Sequence, residues 1–183
     1  MINWRGFIYK ILFGGGVIFD LSKWIIFVGL LIVIVNTFSV SIFVVDGQSM
    51  EPNYHDKEIV LWNKAVYSKD DPQRLDVVVM QYPGNTKYRY VKRVIGLPSE
   101  TLSIQGGKVY IDGKVLSERY IPFGYETAPD KTWKLHNDEF FLMGDNRPGS
   151  NDSRFFGPVD RRFIEGKSLA IIFPRFRFSE SIK

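Results

Sequence analysis

The sequence predicts a mostly β domain that follows a single transmembrane helix. Three observations support this fold class: one long apolar run near the N-terminus, a series of short Val-, Ile-, Tyr- and Phe-rich segments after it, and no long helical periodicity in that second part. We expect three regions: an N-terminal segment over 1–23, a membrane anchor over 24–45 and one domain over 46–183. The last region is large enough to bury a core of its own, with a small-barrel or sandwich character.

The membrane anchor is predicted from Trp24–Val45, an almost unbroken apolar run. At ~1.5 Å per residue a helix of this length would measure ~33 Å, which matches the hydrocarbon core of a bilayer. A buried core helix is one alternative, but the run has no charged stripe at helical spacing. A cleaved signal peptide is another, but Val45-Asp46 lacks the small residues of a cleavage site. We therefore predict an uncleaved signal anchor that contacts membrane lipid.

The charges that flank this run predict its orientation. Arg5, Lys10 and Lys23 precede it against the single acid Asp20, whereas acidic residues predominate just after it. Because lysine and arginine are retained on the cytoplasmic side, we expect a cytoplasmic N-terminus and an extracytoplasmic domain. The shorter apolar stretch Phe7–Phe19 is broken by glycines and is interpreted as interfacial or irregular.

Composition excludes several classes of function. The net charge of +4 comes from basic residues that are scattered among acids. Because binding of nucleic acid needs a clustered basic face, a nucleic-acid partner is not expected. The chain has no cysteine and two histidines, His55 and His136, both in polar, turn-like settings. Disulfides and a thiol nucleophile are therefore excluded, neither a cofactor nor a metal site is expected, and histidine is not the obvious general base.

The second part of the chain contains the predicted strands. They are Glu58–Trp62, Asp76–Gln81, Tyr88–Ile95, Thr101–Ile104, Lys108–Ile111, Phe140–Met143 and Leu169–Phe173. Asp112-Gly113 predicts a two-residue hairpin turn after Lys108–Ile111, and Arg119–Asp130 is expected to be a surface loop. The tail over 173–178 alternates aromatic and basic residues, which fits either an edge strand with one packed face or a contact with the membrane interface.

Ser49 and Lys92 are the candidate reactive residues. Ser49 lies just beyond the apolar run, although a serine before Pro52 is more commonly only a turn residue. In the predicted strand Tyr90–Gly96, the side chains of Tyr90 and Val94 share one face with Lys92. Such neighbours partly desolvate the lysine and favour its neutral amine, which can act as general base toward a hydroxyl. A solvated strand lysine is the alternative for Lys92.

A third segment, Met143–Arg154, runs from a strand into a Gly-, Asn- and Asp-rich loop. Its acids and arginines, Asp145, Arg147, Asp152 and Arg154, can pair to hold the loop in shape. A purely structural, ion-paired loop is one interpretation. A rigid loop can also present the Ser150 hydroxyl to a neighbouring site.

These segments together resemble the signature boxes of bacterial type I signal peptidases. The boxes are Gly47–Pro52, Arg74–Val79, Tyr90–Pro98 and Met143–Gly157, and they occur in this order after an N-terminal anchor. The resemblance implies the β-domain shared with the repressor-like proteases and a Ser/Lys dyad in the outer domain. It covers the anchor and most of that domain.

The resemblance implies a role for each matching residue. Ser49 is the expected nucleophile, its backbone N–H an oxyanion donor, and Lys92 the general base. Ser150 is expected to hydrogen-bond and orient the lysine amine. The remaining supporting residues are a pair next to the site, a second acid from the same loop and a methionine packed beside the nucleophile: Asp152, Arg154, Asp145 and Met50. Gly47 departs from the relatives that have a second oxyanion-donating serine at this position.

The function implied by the resemblance is removal of signal peptides from exported preproteins through an acyl-enzyme. Two alternatives remain: a dedicated Ser/Lys maturase of one partner protein, and a non-catalytic, membrane-anchored β-domain. If Lys92 is the base, activity should fall as its amine becomes protonated, at a pH well below the free-lysine value of about 10.4.

Overall fold

The computed structural model describes residues 17–37 and 40–179, with side chains described over 20–33 and 40–179. The chain forms two compact units, and the boundary between them falls between Ser39 and Val40. Most of the predicted segment 1–23, including Arg5, Lys10 and most of Phe7–Phe19, lies outside the described residues. The two units are considered separately below.

The first unit contains helix α1, Val17–Thr37. Its side chains in the described stretch from Leu21 to Val33 are mainly apolar and exposed. In the part of the chain that the structure describes, no helix reaches the length and apolarity needed to cross a membrane.

The predicted span 24–45 is wrong as a single helix, because helix α1 ends at Thr37. Its last part, Val40–Val44, is a strand that begins the second unit, so the observed boundary lies before the predicted Asp46. The physical reason is local: β-branched residues dominate this stretch, and alternate side chains turn to opposite sides of a sheet. Phe43 packs against the core, whereas Ile42 and Val44 are exposed.

The second unit is mostly β, as predicted. Its strands are β1 Val40–Val44, β2 Ile59–Asn63, β3 Val77–Tyr82, β4 Asn85–Gly96, β5 Thr101–Gln105, β6 Lys108–Ile111, β7 Lys114–Val115, β8 Lys131–Lys134, β9 Glu139–Met143, β10 Val159–Asp160, β11 Ile164–Phe173 and β12 Arg177–Phe178. Short 3₁₀ turns lie at Val66–Ser68, Arg147–Gly149 and Arg161–Phe163, and a one-turn helix, α2, covers Ser153–Phe156.

These strands form two antiparallel sheets. The larger sheet has the order β1-β2-β11-β3-β4-β9-β10, with β12 pairing with β11, and the smaller has the order β7-β6-β5-β8. The predicted hairpin turn is confirmed, because Ile111 pairs with Lys114 across Asp112-Gly113 and both turn residues have positive φ. Strand β8, which the sequence did not predict, pairs with β5 directly after the predicted loop.

The core consists of three apolar clusters. One contains the inner faces of β1, β2 and β11, the second lies on the smaller sheet, and the third lies between β3, β4 and β9. The long strand β4 contributes to all three, through Val91, Ile95 and Val94 respectively. Side chains in the middle of β4 are therefore held rigidly from several directions.

The tail forms strand β12, in which the basic side chain points inward and the aromatic side chains point outward, the reverse of an ordinary edge strand. Arg177 is turned inward and donates to the Glu58 carboxylate, with both distances 2.9 Å. Phe176 and Phe178 are exposed and contact each other edge to face. The aromatic side chains thus face outward because the buried Glu58 needs a cation.

Candidate active site

Ser49 lies in the loop between β1 and β2, which is closed at its base by backbone hydrogen bonds. Val45 N donates to Glu58 O at 2.9 Å, and Tyr54 N donates to Met50 O at 2.9 Å within the loop. Met50 and Tyr54 are both fully buried in the first core cluster. Since the residue after Ser49 is held in the core, the serine hydroxyl has a defined position at the domain surface.

Lys92 lies on β4 opposite Val78 of β3 and extends toward this loop. Its Nζ donates to Ser49 Oγ at 2.7 Å, and only 2% of the residue is exposed. The amine also lies 5.3 Å from the centre of the Tyr90 ring, the same-face neighbour predicted from the sequence. The structure therefore brings the two candidate reactive residues into direct contact in a nearly dry site.

Burial changes the acid–base chemistry of Lys92. Desolvation of the ammonium lowers the pKa of Lys92 to about 8, while the carboxylates of Asp152 and Asp145 oppose this shift and Arg154 adds to it. With this pKa, about a tenth of the lysine is neutral at pH 7. In the neutral form the Ser49 hydroxyl can donate its proton to Nζ across the same 2.7 Å contact.

The loop after β9 is held by the pair of Asp152 and Arg154. Arg154 Nε donates to Asp152 Oδ1 and Nη2 donates to Oδ2, each at 2.8 Å, and both residues are buried. The same carboxylate accepts from Gly144 N at 2.9 Å and caps α2 through Arg154 N. Asp152 and Arg154 thus pair as expected, and they tie the two ends of the 144–154 loop together.

The other predicted loop charges pair outside the loop. Asp145 accepts from Arg93 Nη2 at 2.6 Å and Nε at 2.8 Å, and it also accepts from Asn53 Nδ2 at 2.9 Å. Arg147 forms an ion pair with Glu118. Sequence reasoning missed Arg93, Asn53 and Glu118, although one signal was available: Arg93 lies between Val91 and Ile95 on an apolar face, where a buried arginine needs a carboxylate.

Ser150 is brought close to Ser49, but its predicted hydrogen bond to Lys92 is not formed. Its Oγ is buried and has no hydrogen-bond partner among the described residues. Gly144 lies between the two serines, since a Cβ on Gly144 would stand 2.2 Å from Ser150 Oγ and 2.3 Å from Ser49 O. Asn146 adds a direct link, with its backbone N donating to Ser49 O at 3.1 Å.

Gly47 adopts a backbone conformation that explains the residue type. Its φ of +96° is rarely adopted by L side chains, so a serine here would be strained. Its N–H donates to Asp56 Oδ1 at 2.7 Å, and this bond lowers the pKa of the Asp56 carboxyl. The Gly47 N–H is therefore already occupied by a neighbouring side chain.

The sequence is similar to those of a known peptidase family. The sequence profile of the family described as "Signal peptidase, peptidase S26" matches residues 18–173. The chain is similar to a signal peptidase I from Bacillus amyloliquefaciens, with 36% identity over 86% of this chain and 89% of that protein. It is also similar to a signal peptidase I from Leptolyngbya laminosa, with 33% identity over 80% of this chain and 75% of that protein.

Among solved structures, a signal peptidase I from Enterococcus faecalis is 34% identical, with a TM-score of 0.48 over 54% of this chain and 97% of that chain. The match to the family profile runs from α1 through β11 and contains every box on which the resemblance was based. The resemblance is therefore confirmed: the chain belongs to the signal peptidase family, peptidase S26, and is a serine peptidase.

Proposed function

We propose that this protein is a membrane-associated endopeptidase that removes signal peptides from exported preproteins, with Ser49 as nucleophile and Lys92 as general base. The observation that carries the proposal is the buried Lys92 amine, 2.7 Å from Ser49 Oγ. A buried lysine of lowered pKa in contact with a hydroxyl is an arrangement that structural stability does not require. Membership of the signal peptidase family supports the substrate class.

In the first half of the reaction, neutral Lys92 accepts the proton of the Ser49 hydroxyl as Oγ attacks the scissile carbonyl carbon. The negative charge develops on the carbonyl oxygen, toward which the Ser49 backbone N–H is the proposed donor. The carbon–nitrogen bond then breaks, and the Lys92 ammonium returns the proton to the departing amine. The signal peptide is left as an ester on Ser49.

In the second half, Lys92 accepts a proton from water, whose oxygen attacks the ester carbonyl. The bond to Oγ breaks, Ser49 regains its proton from Lys92, and the signal peptide leaves as a carboxylic acid that ionises by losing its proton to solvent. The proton removed from the attacking oxygen in each half thus passes through Nζ, so both halves require the neutral amine at the start.

The substrate is proposed to bind as an added strand beside Ser49. Strand β9 pairs with β4 only from Arg93 onward, and β1 pairs only with β2 among the described strands. The edge of β4 before Arg93 and one edge of β1 are therefore free within the part of the chain that the structure describes. An extended peptide can form hydrogen bonds with these edges. A cavity of about 30 Å³ beside the serine, lined in part by Phe43, Met50 and Val91, suits a small side chain next to the cleaved bond.

Membrane association is supported by exposed apolar side chains in both units. Helix α1 exposes Trp24, Ile26 and their neighbours, and the excess of basic residues before it favours a cytoplasmic N-terminus. In the second unit, cross-strand pairing brings Ile42, Val44, Phe173 and Phe178 to one side of the larger sheet, away from the first core cluster. We name this surface the outer apolar face.

The central test replaces each proposed reactive residue in the full-length protein. Ser49→Ala and Lys92→Ala should each abolish cleavage of a preprotein, because one removes the nucleophile and the other the base. The measurement is appearance of the mature protein on a gel, with circular dichroism to show that the domain is folded. Ser117→Ala and Lys108→Ala, both at exposed positions, serve as matched controls that keep full activity.

Two further outcomes separate the proposal from its alternatives. Covalent labelling of Ser49 by an acylating lactam, seen by mass spectrometry, is expected of an enzyme and not of a binding domain. Cleavage of several unrelated preproteins is expected of a general signal peptidase, whereas a dedicated maturase would cut one. Retained cleavage in Lys92→Ala would contradict the dyad.

A further inference from the structure

The segment Glu118–Arg119–Tyr120, here named the 118–120 segment, contacts all three parts of the chain that build the candidate site. It lies between β7 and β8, the two outermost strands of the smaller sheet, and so outside every signature box. The side chains of Glu118 and Tyr120 nevertheless contact Arg147 and Arg93, which lie outside the smaller sheet. Tyr120 is buried and Glu118 is largely so.

The first contact is to the 144–154 loop through Arg147. The Glu118 carboxylate accepts from both terminal nitrogens of this guanidinium, at 3.3 Å for Nη1. Arg147 has no exposed side-chain surface, and its Nε donates to Gly144 O at 3.0 Å. Gly144 in turn lies directly against the Ser49 carbonyl oxygen. A chain of buried contacts therefore connects Glu118 to the nucleophile.

The second contact is to strand β4. The guanidinium carbon of Arg93 lies 4.1 Å from the centre of the Tyr120 ring, within the range of a cation–π interaction. Arg93 follows Lys92 directly and is itself fully buried. The Tyr120 hydroxyl donates to Glu118 Oε1 at 2.7 Å, which fixes the ring relative to the first contact.

The third contact is to the Ser49 loop. Asn53 Nδ2 donates to the backbone oxygen of Tyr120 at 2.9 Å, and the same nitrogen donates to Asp145 Oδ2 at 2.9 Å. The backbone N of Asn53 is bonded to Met50 O at 3.0 Å, one residue beyond the nucleophile. The 118–120 segment thus connects to the Ser49 loop by two routes, through Asn53 and through Arg147 with Gly144.

We infer that Glu118 and Tyr120 are positioning residues, which hold the Ser49 loop, the Lys92 strand and the 144–154 loop in the alignment that proton transfer needs. The inference rests on the proposed dyad of Ser49 and Lys92. Neither residue touches the reacting atoms, so each acts through Arg93, Arg147 or Asn53. Small displacements of the reacting groups slow catalysis strongly, since a displacement of about 1 Å can reduce the rate on the order of 100-fold.

A purely structural role makes a different prediction. A residue that only stabilises the fold affects the amount of folded enzyme and its melting temperature, but not the turnover of the molecules that remain folded. A positioning residue affects kcat per folded molecule. Residues 118–120 belong to neither of the strand edges proposed to bind the substrate and do not line the cavity beside Ser49, so KM should stay the same.

The test uses the full-length protein and a short peptide substrate. Tyr120→Leu removes the ring from Arg93 and should lower kcat about 10-fold or more at nearly unchanged KM. Tyr120→Phe keeps the ring and the backbone oxygen and should restore most of that loss. Tyr110→Leu, in β6 of the same sheet, is the matched control and should keep wild-type kcat and KM. Melting temperature and near-UV circular dichroism measure the folded fraction.

Three outcomes would overturn the inference: unchanged kcat in folded Tyr120→Leu, a loss that only follows the folded fraction, or a rise in KM alone. If Tyr120→Leu does not fold, Glu118→Gln decides. This variant keeps the volume and an acceptor oxygen but weakens the pairing with Arg147, so an unchanged kcat would count against positioning. Lys92→Ala in the same assay separates the two hypotheses, since its retained activity contradicts the dyad whatever the Tyr120 variants do.

Discussion

A lysine amine in water is a poor base at neutral pH, because almost all of it is protonated. At Lys92 the protein removes this obstacle by burial: the side chain extends from β4 to the Ser49 loop with almost no contact with solvent. The two carboxylates that favour the ammonium, Asp145 and Asp152, are each occupied by a buried arginine, Arg93 and Arg154. Desolvation therefore dominates, and the pKa falls to about 8.

The pH dependence of cleavage follows with a definite sign. The ammonium form is inactive and is the major form below the pKa, so kcat/KM should rise with pH through a midpoint near 8. The measurement is a pH profile of kcat/KM for the full-length protein with a short peptide that carries no titratable group. A midpoint near the free-lysine value of about 10.4 would show that Lys92 is not desolvated in solution.

At the scale of elements, the site depends on how closely the 144–154 loop approaches the Ser49 loop. The approach is close because Gly144 has no side chain, and it is fixed by the bond from Asn146 N to Ser49 O. The short loop is stiff because the buried Asp152 carboxylate, paired with Arg154, also accepts from Gly144 N and so joins its two ends. Because the loop is stiff, its hydrogen bond to Ser49 O holds the nucleophile in a fixed position.

Replacement of Gly144 by alanine should therefore impair catalysis. The new Cβ would stand 2.3 Å from Ser49 O, a backbone atom that cannot rotate away, so the two loops must separate. We expect a fall in kcat on the order of 10- to 100-fold. Gly84→Ala, in the turn between β3 and β4, is the matched control, because its Cβ would meet only the movable end of the Tyr82 ring. Equal activity of the two variants would contradict the close approach.

At the scale of the whole molecule, the second unit has two different sides to its larger sheet. One side carries Phe43, Val60 and Trp62 into the first core cluster. The other is the outer apolar face, where Phe178 is 63% exposed. Exposed apolar groups of this kind are unfavourable in water and indicate an interaction surface. For an enzyme whose proposed substrates are embedded in a bilayer, we propose the lipid interface as the partner of this face.

The outer apolar face can be tested by comparing two substrates. Phe173→Ser and Phe178→Ser in the full-length protein should lower kcat/KM several-fold for a preprotein in lipid vesicles, because contact with lipid is weakened. Cleavage of a short soluble peptide in detergent should remain unchanged, because neither residue lines the cavity beside Ser49. Phe123→Ser, on the surface loop between β7 and β8, is the matched control. Equal losses with both substrates would argue against a lipid contact.

Much of this architecture was predictable because it is encoded locally. Alternation of apolar residues, together with β-branched and aromatic composition, predicted seven strand segments close to their observed positions, and Asp112-Gly113 predicted the hairpin turn. The pairing of Asp152 with Arg154 is also local, since they are two positions apart along the loop. The error at Val40–Val44 arose because an apolar, β-branched run is compatible with both a membrane helix and a half-buried strand.

The sequence by itself determined the mostly β fold class of the second unit, the family boxes and the candidate pair Ser49 and Lys92, since each depends on residue type and order along the chain. Only the tertiary structure decided which buried charges meet: Arg93 with Asp145, and Arg147 with Glu118. These partners are 52 and 29 positions apart. Residue type can show that a buried charge needs a partner, but only the packing of the two sheets determines which carboxylate is within reach.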